Sequence, residues 1–254
     1  MQQTIGILFF VVLCASVHGQ NQTKPNASGR IVNGQTVTVE NFSFMVSLCV
    51  KGFHICGGSI ITVKHVVSAA HCLSNRPPIA LVTLRAGSIR QPSGYLFAVS
   101  SYVIHPNYNP QTFDYDAAVI TISASFAGYP NIAVIALQET EIAPTWCYVM
   151  GWGYAYPDKR ALLADLQYTW LQSTTTESCS KFHGAGRITQ QMICAAYKTR
   201  DICTGDSGGP LVCNEQLTGI ASFTMSDCLG LYPAVFGKIA SISIRSFIRQ
   251  YAGI

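Results

Sequence analysis

Short apolar or alternating runs recur along the chain from Ile31 onward, and turns rich in Gly, Pro, Asn and Ser separate them. Runs of this length between turn residues predict β-strands. Six of them are Phe44–Leu48, Val82–Leu84, Tyr95–Val99, Ala117–Ile120, Leu166–Trp170 and Gly219–Phe223. Many short strands joined by turns are typical of all-β proteins, either sandwiches or barrels.

The C-terminal segment departs from this strand pattern. Its apolar residues stand close to helical spacing, at Ile239, Ile242, Phe247 and Ile248. We therefore expect a short C-terminal helix. The sequence contains no repeat of fixed period and no low-complexity tract that would divide the body further.

The N-terminus carries an apolar run from Ile5 to Ala15, which is shorter than the roughly 20 residues that span a bilayer. Small residues follow near Gly19, so residues 1–19 are predicted to be a cleaved signal peptide and the protein to be secreted, extracellular and not membrane-bound. A buried N-terminal strand or helix is the alternative. Residues 20–30 are polar and end in Arg30, as expected of an exposed spacer.

Composition narrows the functional class. Only 11% of the 254 residues are charged, 49% are hydrophobic, and the net charge of +4 comes with no basic run. These values exclude a disordered chain, a coiled coil and a charge-driven nucleic-acid binder. Loss of Cys14 with the signal peptide leaves nine of the ten cysteines. In an oxidising compartment most should pair, with at least one left over, and none has zinc-site spacing.

The most informative stretch is Gly205-Asp206-Ser207-Gly208-Gly209-Pro210. A serine hydroxyl becomes a nucleophile only with a base to take its proton and donors for the developing oxyanion. The glycines beside Ser207 permit a sharp turn that aims successive N–H groups at one point. Taken alone, the stretch would also suit a surface turn.

Two upstream segments favour the catalytic interpretation. Ser68-Ala69-Ala70-His71-Cys72 places a histidine beside a cysteine, where a disulfide could fix it. The segment Asp114–Ile120 places acids at the start of an apolar run, where a buried carboxylate needs a partner.

With these segments the sequence resembles a trypsin-like serine protease of the chymotrypsin fold, a family whose triad follows the order His71, Asp116, Ser207. Further family motifs are Arg30–Gly34, Cys56–Ser59, His105–Asn109 and Gly151–Gly153. The likeness covers residues 31–254. It implies one protease domain of two antiparallel six-stranded β-barrels with a short C-terminal helix.

The resemblance implies a role for each motif residue. Ser207 would attack the scissile carbonyl, and His71 would move the proton. Asp116, rather than Asp114, would orient the imidazole because it directly precedes the apolar strand. The N–H groups of Gly205 and Ser207 would form the oxyanion hole.

Arg30-Ile31 resembles the family's activation site, which makes residues 20–30 an activation propeptide. Cleavage would free an α-amine on Ile31, and that amine would pair with the buried carboxylate of Asp206. His54 stands where some relatives hold this acid before cleavage. A packed neutral histidine is the other interpretation.

The resemblance also implies four disulfides: Cys56–Cys72, Cys147–Cys213, Cys179–Cys194 and Cys203–Cys228. Cys49 has no partner in this scheme. Three interpretations stay open for it: a buried thiol, an intermolecular link, or a rival of Cys56.

Substrate-binding residues are assigned by the same resemblance. Asp201 stands where trypsin-type enzymes place the acid of the primary specificity pocket, which favours Arg or Lys. The pocket wall, counted from Ser222, departs from the trypsin pattern because Thr224 and Ala234 replace glycines. Ile202 replaces a small neighbour of the acid, and Phe223 replaces a tryptophan. We expect cleavage after Arg or Lys at reduced efficiency, with an elastase- or collagenase-like preference for small or mixed residues as the alternative.

The expected protein is a secreted serine endopeptidase made as a zymogen. Its partners would be polypeptide substrates, an activating protease and, as the family allows, protein inhibitors, and it would act as a monomer without nucleic acid, membrane or cofactor. The stretch Leu84–Tyr95 lacks the acids of calcium-binding relatives, so no metal is expected. A non-catalytic homologue acting as a binding protein remains a different class of function.

Overall fold

The computed structural model describes residues 35–36, 39–155, 161–224 and 228–254. The predicted signal peptide (1–19), the predicted propeptide (20–30) and the Arg30-Ile31 bond lie outside the described residues. Among the helices that are described, none has the length and apolar character needed to cross a membrane.

The first half of the chain forms a closed antiparallel barrel in the strand order β2-β3-β4-β7-β6-β5. Its strands are β2 (Met45–Val50), β3 (Phe53–Ile60), β4 (His65–Ser68), β5 (Val82–Ala86), β6 (Tyr95–Ile104) and β7 (Ala118–Ile122). Burial alternates along its strands: Val82, Leu84 and Ala86 of β5 are buried in the core, while the residues between them are partly exposed.

The second half forms a similar barrel in the order β8-β9-β10-β13-β12-β11, closed by the pairing of β8 with β9. Its strands are β8 (Trp146–Gly151), β9 (Gln167–Thr174), β10 (Met192–Ala196), β11 (Pro210–Cys213), β12 (Gln216–Phe223) and β13 (Ala234–Lys238). The short strand β1 (Gln35–Thr36) adds to the outer side of β9. The predicted fold of two six-stranded barrels is therefore confirmed.

Two α-helices accompany the barrels. The predicted C-terminal helix is α2 (Ile242–Ala252); the hydroxyl of Ser241 caps its start, so Ile239 lies before the helix rather than in it. The sequence interpretation missed α1 (Thr176–His183), which begins at a Thr175 cap. Short 3-10 turns cover Val39–Phe42, His71–Leu73 and Ile79–Leu81.

A shared apolar cluster joins the barrels. It contains residues of the first barrel, residues of the second, and the inner face of α2: Met45, Val67, Val119, Met150, Val212, Ile220, Ile244, Phe247 and Ile248. Burial of large apolar side chains from both barrels holds them in one arrangement. The facing edges of the barrels then form the cleft in which the candidate site lies.

The structure contains four disulfides: Cys56–Cys72, Cys147–Cys213, Cys179–Cys194 and Cys203–Cys228. These are the pairs that the family resemblance implies. Cys49 is a buried free thiol within the described part of the chain, and its sulfur lies 3.4 Å from the Ser47 hydroxyl. Of the three interpretations of Cys49, the structure matches the buried thiol.

Candidate active site

The centre of the cleft is a hydrogen-bonded pair between His71 and Asp116. Asp116 lies two residues before β7, and His71 begins the 3-10 turn after β4. The Asp116 carboxylate is only 1% exposed and accepts from the His71 backbone N–H at 2.9 Å and from its ring Nδ1 at 2.8 Å. Because a carboxylate only accepts, the ring proton lies on Nδ1, and the lone pair of Nε2 is available as a base.

A residue of the second barrel completes this pair. The Ser222 hydroxyl donates to Asp116 Oδ2 at 2.5 Å. Three donors therefore compensate the burial of the carboxylate. Asp114, the neighbouring acid, accepts instead from Thr189 at 2.6 Å and does not bond His71.

The loop that carries Ser207 is fixed by backbone hydrogen bonds to both barrels. The carbonyl of Ser207 accepts from Gly57 N–H at 2.7 Å, and Gly208 N–H donates to Ala221 at 2.7 Å. Gly208 has φ +74°, and a Cβ there would lie 2.6 Å from the Gly57 carbonyl, so this close approach requires glycine. Ser207 therefore lies between the Cys56–Cys72 disulfide, which adjoins His71, and the strand that carries Ser222.

Ser207 is half-buried, and among the described residues its hydroxyl makes no hydrogen bond with His71. A catalytic hydrogen bond is often long without substrate and tightens in the substrate complex. The structure thus joins His71 to Asp116 directly and brings the Ser207 loop beside them.

Two backbone donors of this loop are unused. Among the described residues, neither Gly205 N–H nor Ser207 N–H donates to a protein acceptor. The turn itself is held by the Asp206 N–H to Cys203 and the Gly209 N–H to Asp206. Unpaired N–H groups beside a nucleophile can stabilise an oxyanion.

Asp206 is a buried carboxylate without a cation among the described residues. It is 1% exposed and accepts from the N–H groups of Gly153 at 2.8 Å and Cys203 at 2.9 Å. Burial outweighs these bonds and raises the pKa of Asp206 to about 6. Gly151 and Gly153 leave room for it, since a Cβ at Gly153 would lie 2.5 Å from its carboxyl carbon.

His54 lies behind the same loop. Its Nε2 lies 3.0 Å from the Gly205 carbonyl, and its Nδ1 lies 2.8 Å from the Ser47 hydroxyl. Burial lowers the pKa of His54, which favours the neutral ring. Among the two interpretations of His54, the packed neutral histidine matches this geometry.

Asp201, the predicted pocket acid, is 2% exposed, and its carboxylate accepts from Ile202, Thr224 and Gly230 among its contacts. Its Oδ1 accepts from Ile202 N–H at 2.8 Å, and its Oδ2 accepts from the Thr224 hydroxyl at 2.7 Å and from Gly230 N–H at 3.3 Å. Ala234 is buried with Ile202 in one apolar cluster. The side chain of Thr224 therefore contacts the Asp201 carboxylate directly.

A row of aromatic rings extends from His71, and sequence reasoning missed most of it. Phe113 lies edge-on to the His71 ring, with centroids 5.6 Å apart, and 5.7 Å from Phe223. The guanidinium of Arg187 lies 5.5 Å from the Phe223 ring. Phe113 could have been found from its place three residues before Asp116, whereas no sequence signal marks Arg187.

The described residues hold one group of potential metal ligands, Cys56, His71 and Cys72, within 4.8 Å of one another. Both cysteines are joined in a disulfide, so they offer no thiolate to an ion. This group does not suit a metal.

A two-barrel fold with a His–Asp pair and a glycine-flanked serine in the cleft defines a class of protein, the serine endopeptidases of the chymotrypsin fold. The family model described as Trypsin matches residues 31–248. The chain is 37% identical to "Trypsin beta" of Drosophila erecta over 86% of this chain and 87% of that relative. It is 37% identical to "Trypsin alpha" of Drosophila melanogaster, over 85% of this chain and 86% of that relative. It is 34% identical to "Trypsin alpha-4" of Lucilia cuprina, over 92% of this chain and 94% of that relative.

The chain belongs to the trypsin family. It is a serine endopeptidase, and it acts on polypeptide substrates.

Proposed function

We propose that this endopeptidase is secreted as a zymogen and cuts peptide bonds through an acyl-enzyme formed on Ser207. The observation that carries the proposal is the His71–Asp116 pair, in which a buried carboxylate accepts from Nδ1 at 2.8 Å. That bond leaves Nε2 as the base in the cleft beside the Ser207 loop.

The chemistry follows from these positions. His71 Nε2 takes the Ser207 hydroxyl proton as Oγ bonds to the scissile carbonyl carbon, and the resulting oxyanion is stabilised by the Gly205 and Ser207 N–H groups. His71 then gives the proton to the leaving amine as the C–N bond breaks. Water attacks the acyl-enzyme with His71 again as base, which releases the acid and restores Ser207. Asp116 orients the imidazole and stabilises the imidazolium.

Activation is proposed to depend on cleavage of Arg30-Ile31. Asp206 supports this step, because its buried carboxylate accepts from two N–H groups and pairs with no cation among the described residues. The freed α-amine of Ile31 would supply that charge. Since Asp206 adjoins Ser207, its pairing would steady the loop that holds the oxyanion donors.

We propose that the pocket acid Asp201 directs cleavage after Arg or Lys at reduced efficiency. The buried carboxylate supports a cationic side chain. The Thr224 hydroxyl bond to Asp201 favours the second candidate, a preference for small or mixed residues. The proposed partners are an activating protease and protein inhibitors, and the proposed state is a secreted monomer with one protease domain over residues 31–254.

The proposal is tested with the purified precursor cleaved by trypsin. N-terminal sequencing should begin at Ile31, and hydrolysis of a peptide mixture should appear with that cleavage and vanish in Ser207→Ala and His71→Ala variants. A correctly cleaved, folded protein without peptidase activity would contradict the acyl-enzyme proposal and favour the binding-protein alternative.

A further inference from the structure

The hydroxyl of Thr224 donates a hydrogen bond to Asp201, the proposed acid of the specificity pocket. We propose that Thr224 is a specificity-determining residue, an internal hydrogen-bond donor that competes with a substrate cation for Asp201. The inference rests on the proposed function of Asp201 as the pocket acid, and it assigns the reduced efficiency towards Arg and Lys to one hydroxyl.

The lone pairs of Asp201 show why the competition is direct. Each carboxylate oxygen offers about two acceptor sites. Both sites of Oδ2 are taken, by the Thr224 hydroxyl at 2.7 Å and by Gly230 N–H at 3.3 Å. Oδ1 already accepts from Ile202 N–H at 2.8 Å. A guanidinium that binds through both carboxylate oxygens must compete with Thr224 for Oδ2, because the Thr224 hydroxyl can rotate away whereas Ile202 and Gly230 donate from the backbone.

The burial of Asp201 makes this displacement unfavourable for the substrate. At 2% exposure the carboxylate depends on protein donors rather than on water. A substrate that ends in a small side chain leaves the Thr224 bond intact, whereas an Arg that binds through both carboxylate oxygens must exchange it for its own. Loss of the Thr224 hydrogen bond to the charged carboxylate weakens binding of the cationic substrate by roughly 10- to 100-fold.

Three substitutions at Thr224 distinguish the effect of its hydroxyl group from the effect of its side-chain volume. Thr224→Val keeps the size and removes the hydroxyl, so Asp201 lacks a donor that a substrate cation can replace. Thr224→Ser keeps the hydroxyl and removes the methyl group. Thr224→Gly removes both. Thr189→Val is the matched control, because the Thr189 hydroxyl makes a similar 2.6 Å bond to Asp114 away from this pocket.

The experiment measures kcat/KM of each activated variant for peptide substrates that differ only in Arg or Ala before the cut bond, with the active sites titrated first. The Arg-over-Ala ratio should rise about 10- to 100-fold in Thr224→Val, and at least as far in Thr224→Gly. It should stay within about 3-fold of the parent in Thr224→Ser and Thr189→Val. An unchanged ratio in Thr224→Val would overturn the inference, as would an equal rise in Thr224→Ser, because bulk would then be the cause.

A binding measurement separates this inference from the proposed function. Affinity for an aryl amidine, a small planar cation, is measured by fluorescence on the activated Ser207→Ala background, where catalysis plays no part. Tighter binding in Thr224→Val and Thr224→Gly, but not in Thr224→Ser, supports the inference even if the parent proves inactive on peptides. A parent that cuts peptides while all variants bind the amidine equally would refute the inference and leave the proposed function standing.

Discussion

The buried carboxylate of Asp206 predicts an unusual pH dependence for the uncleaved precursor. Burial raises its pKa from 3.8 to about 6, so the folded state holds this proton more tightly than the unfolded state does. The contribution of Asp206 is therefore most favourable below pH 3.8 and is lost as the pH rises towards about 6. A shift of about two pKa units at 1.36 kcal/mol each lowers the free energy of unfolding of the precursor by roughly 3 kcal/mol between these pH values.

The perturbation is Asp206→Asn in a precursor that also carries Arg30→Gln and Ser207→Ala, which prevent activation and self-digestion. Asparagine cannot ionise, although its amide N–H₂ would face one of the two N–H donors and lose about one hydrogen bond at every pH. The constant loss cancels when two pH values are compared. Only the titration of residue 206 remains in the difference.

The assay is urea unfolding of parent and variant at pH 4 and pH 7.5, with disulfides intact. Relative to the parent, the free energy of unfolding of Asp206→Asn should be about 2–3 kcal/mol higher at pH 7.5 than at pH 4, because only the parent loses stability as Asp206 ionises. Asp165→Asn, at a partly exposed acid beside Arg90, is the control and should show little change. The same relative stability of Asp206→Asn at both pH values would refute the buried, unpaired state of Asp206.

Three further predictions follow from the site. Asp116→Asn turns an amide donor towards the Nδ1 of His71 and imposes the wrong tautomer of the imidazole. The kcat of the activated enzyme should therefore fall by about 10⁴ with KM little changed. A near-normal kcat would contradict the role of Asp116. Arg30→Gln should abolish activation by trypsin, read as the absence of both a new Ile31 terminus and peptidase activity, and a fully active variant would disprove the zymogen proposal. A metal chelator should leave activity and Tm unchanged because Leu84–Tyr95 carries no acid; a decrease in either would show a bound cation.

The strands of this fold could be predicted because alternating burial requires apolar residues at every second position of a strand. Val82, Leu84 and Ala86 alternate with partly exposed residues in β5, and the pattern is visible without coordinates. The same pattern does not distinguish a barrel from a sandwich, because closure depends on which distant strands pair. Helix α1 was missed because its N-cap, Thr175, is followed three residues later by Ser178 rather than by the Glu or Gln of a capping box.

The site residues that could be proposed from the sequence are those that lie in compact motifs, such as His71 beside Cys72 and Ser207 among glycines. The contacts between segments could not be predicted. Thr224 and Asp201 are 23 residues apart, and their bond depends on how two loops meet. Likewise, the spacing of eight cysteines allows 105 pairings, so the disulfides followed from family resemblance alone.

The most direct test of the account is covalent labelling of the trypsin-activated protein with a fluorophosphonate, followed by mass spectrometry of its peptides. One modified residue is expected, Ser207, with labelling that requires cleavage of the precursor and is strongly reduced in His71→Ala. An activated, folded protein that stays unlabelled, or one that is labelled at another residue, would contradict the assignment of Ser207 as the nucleophile.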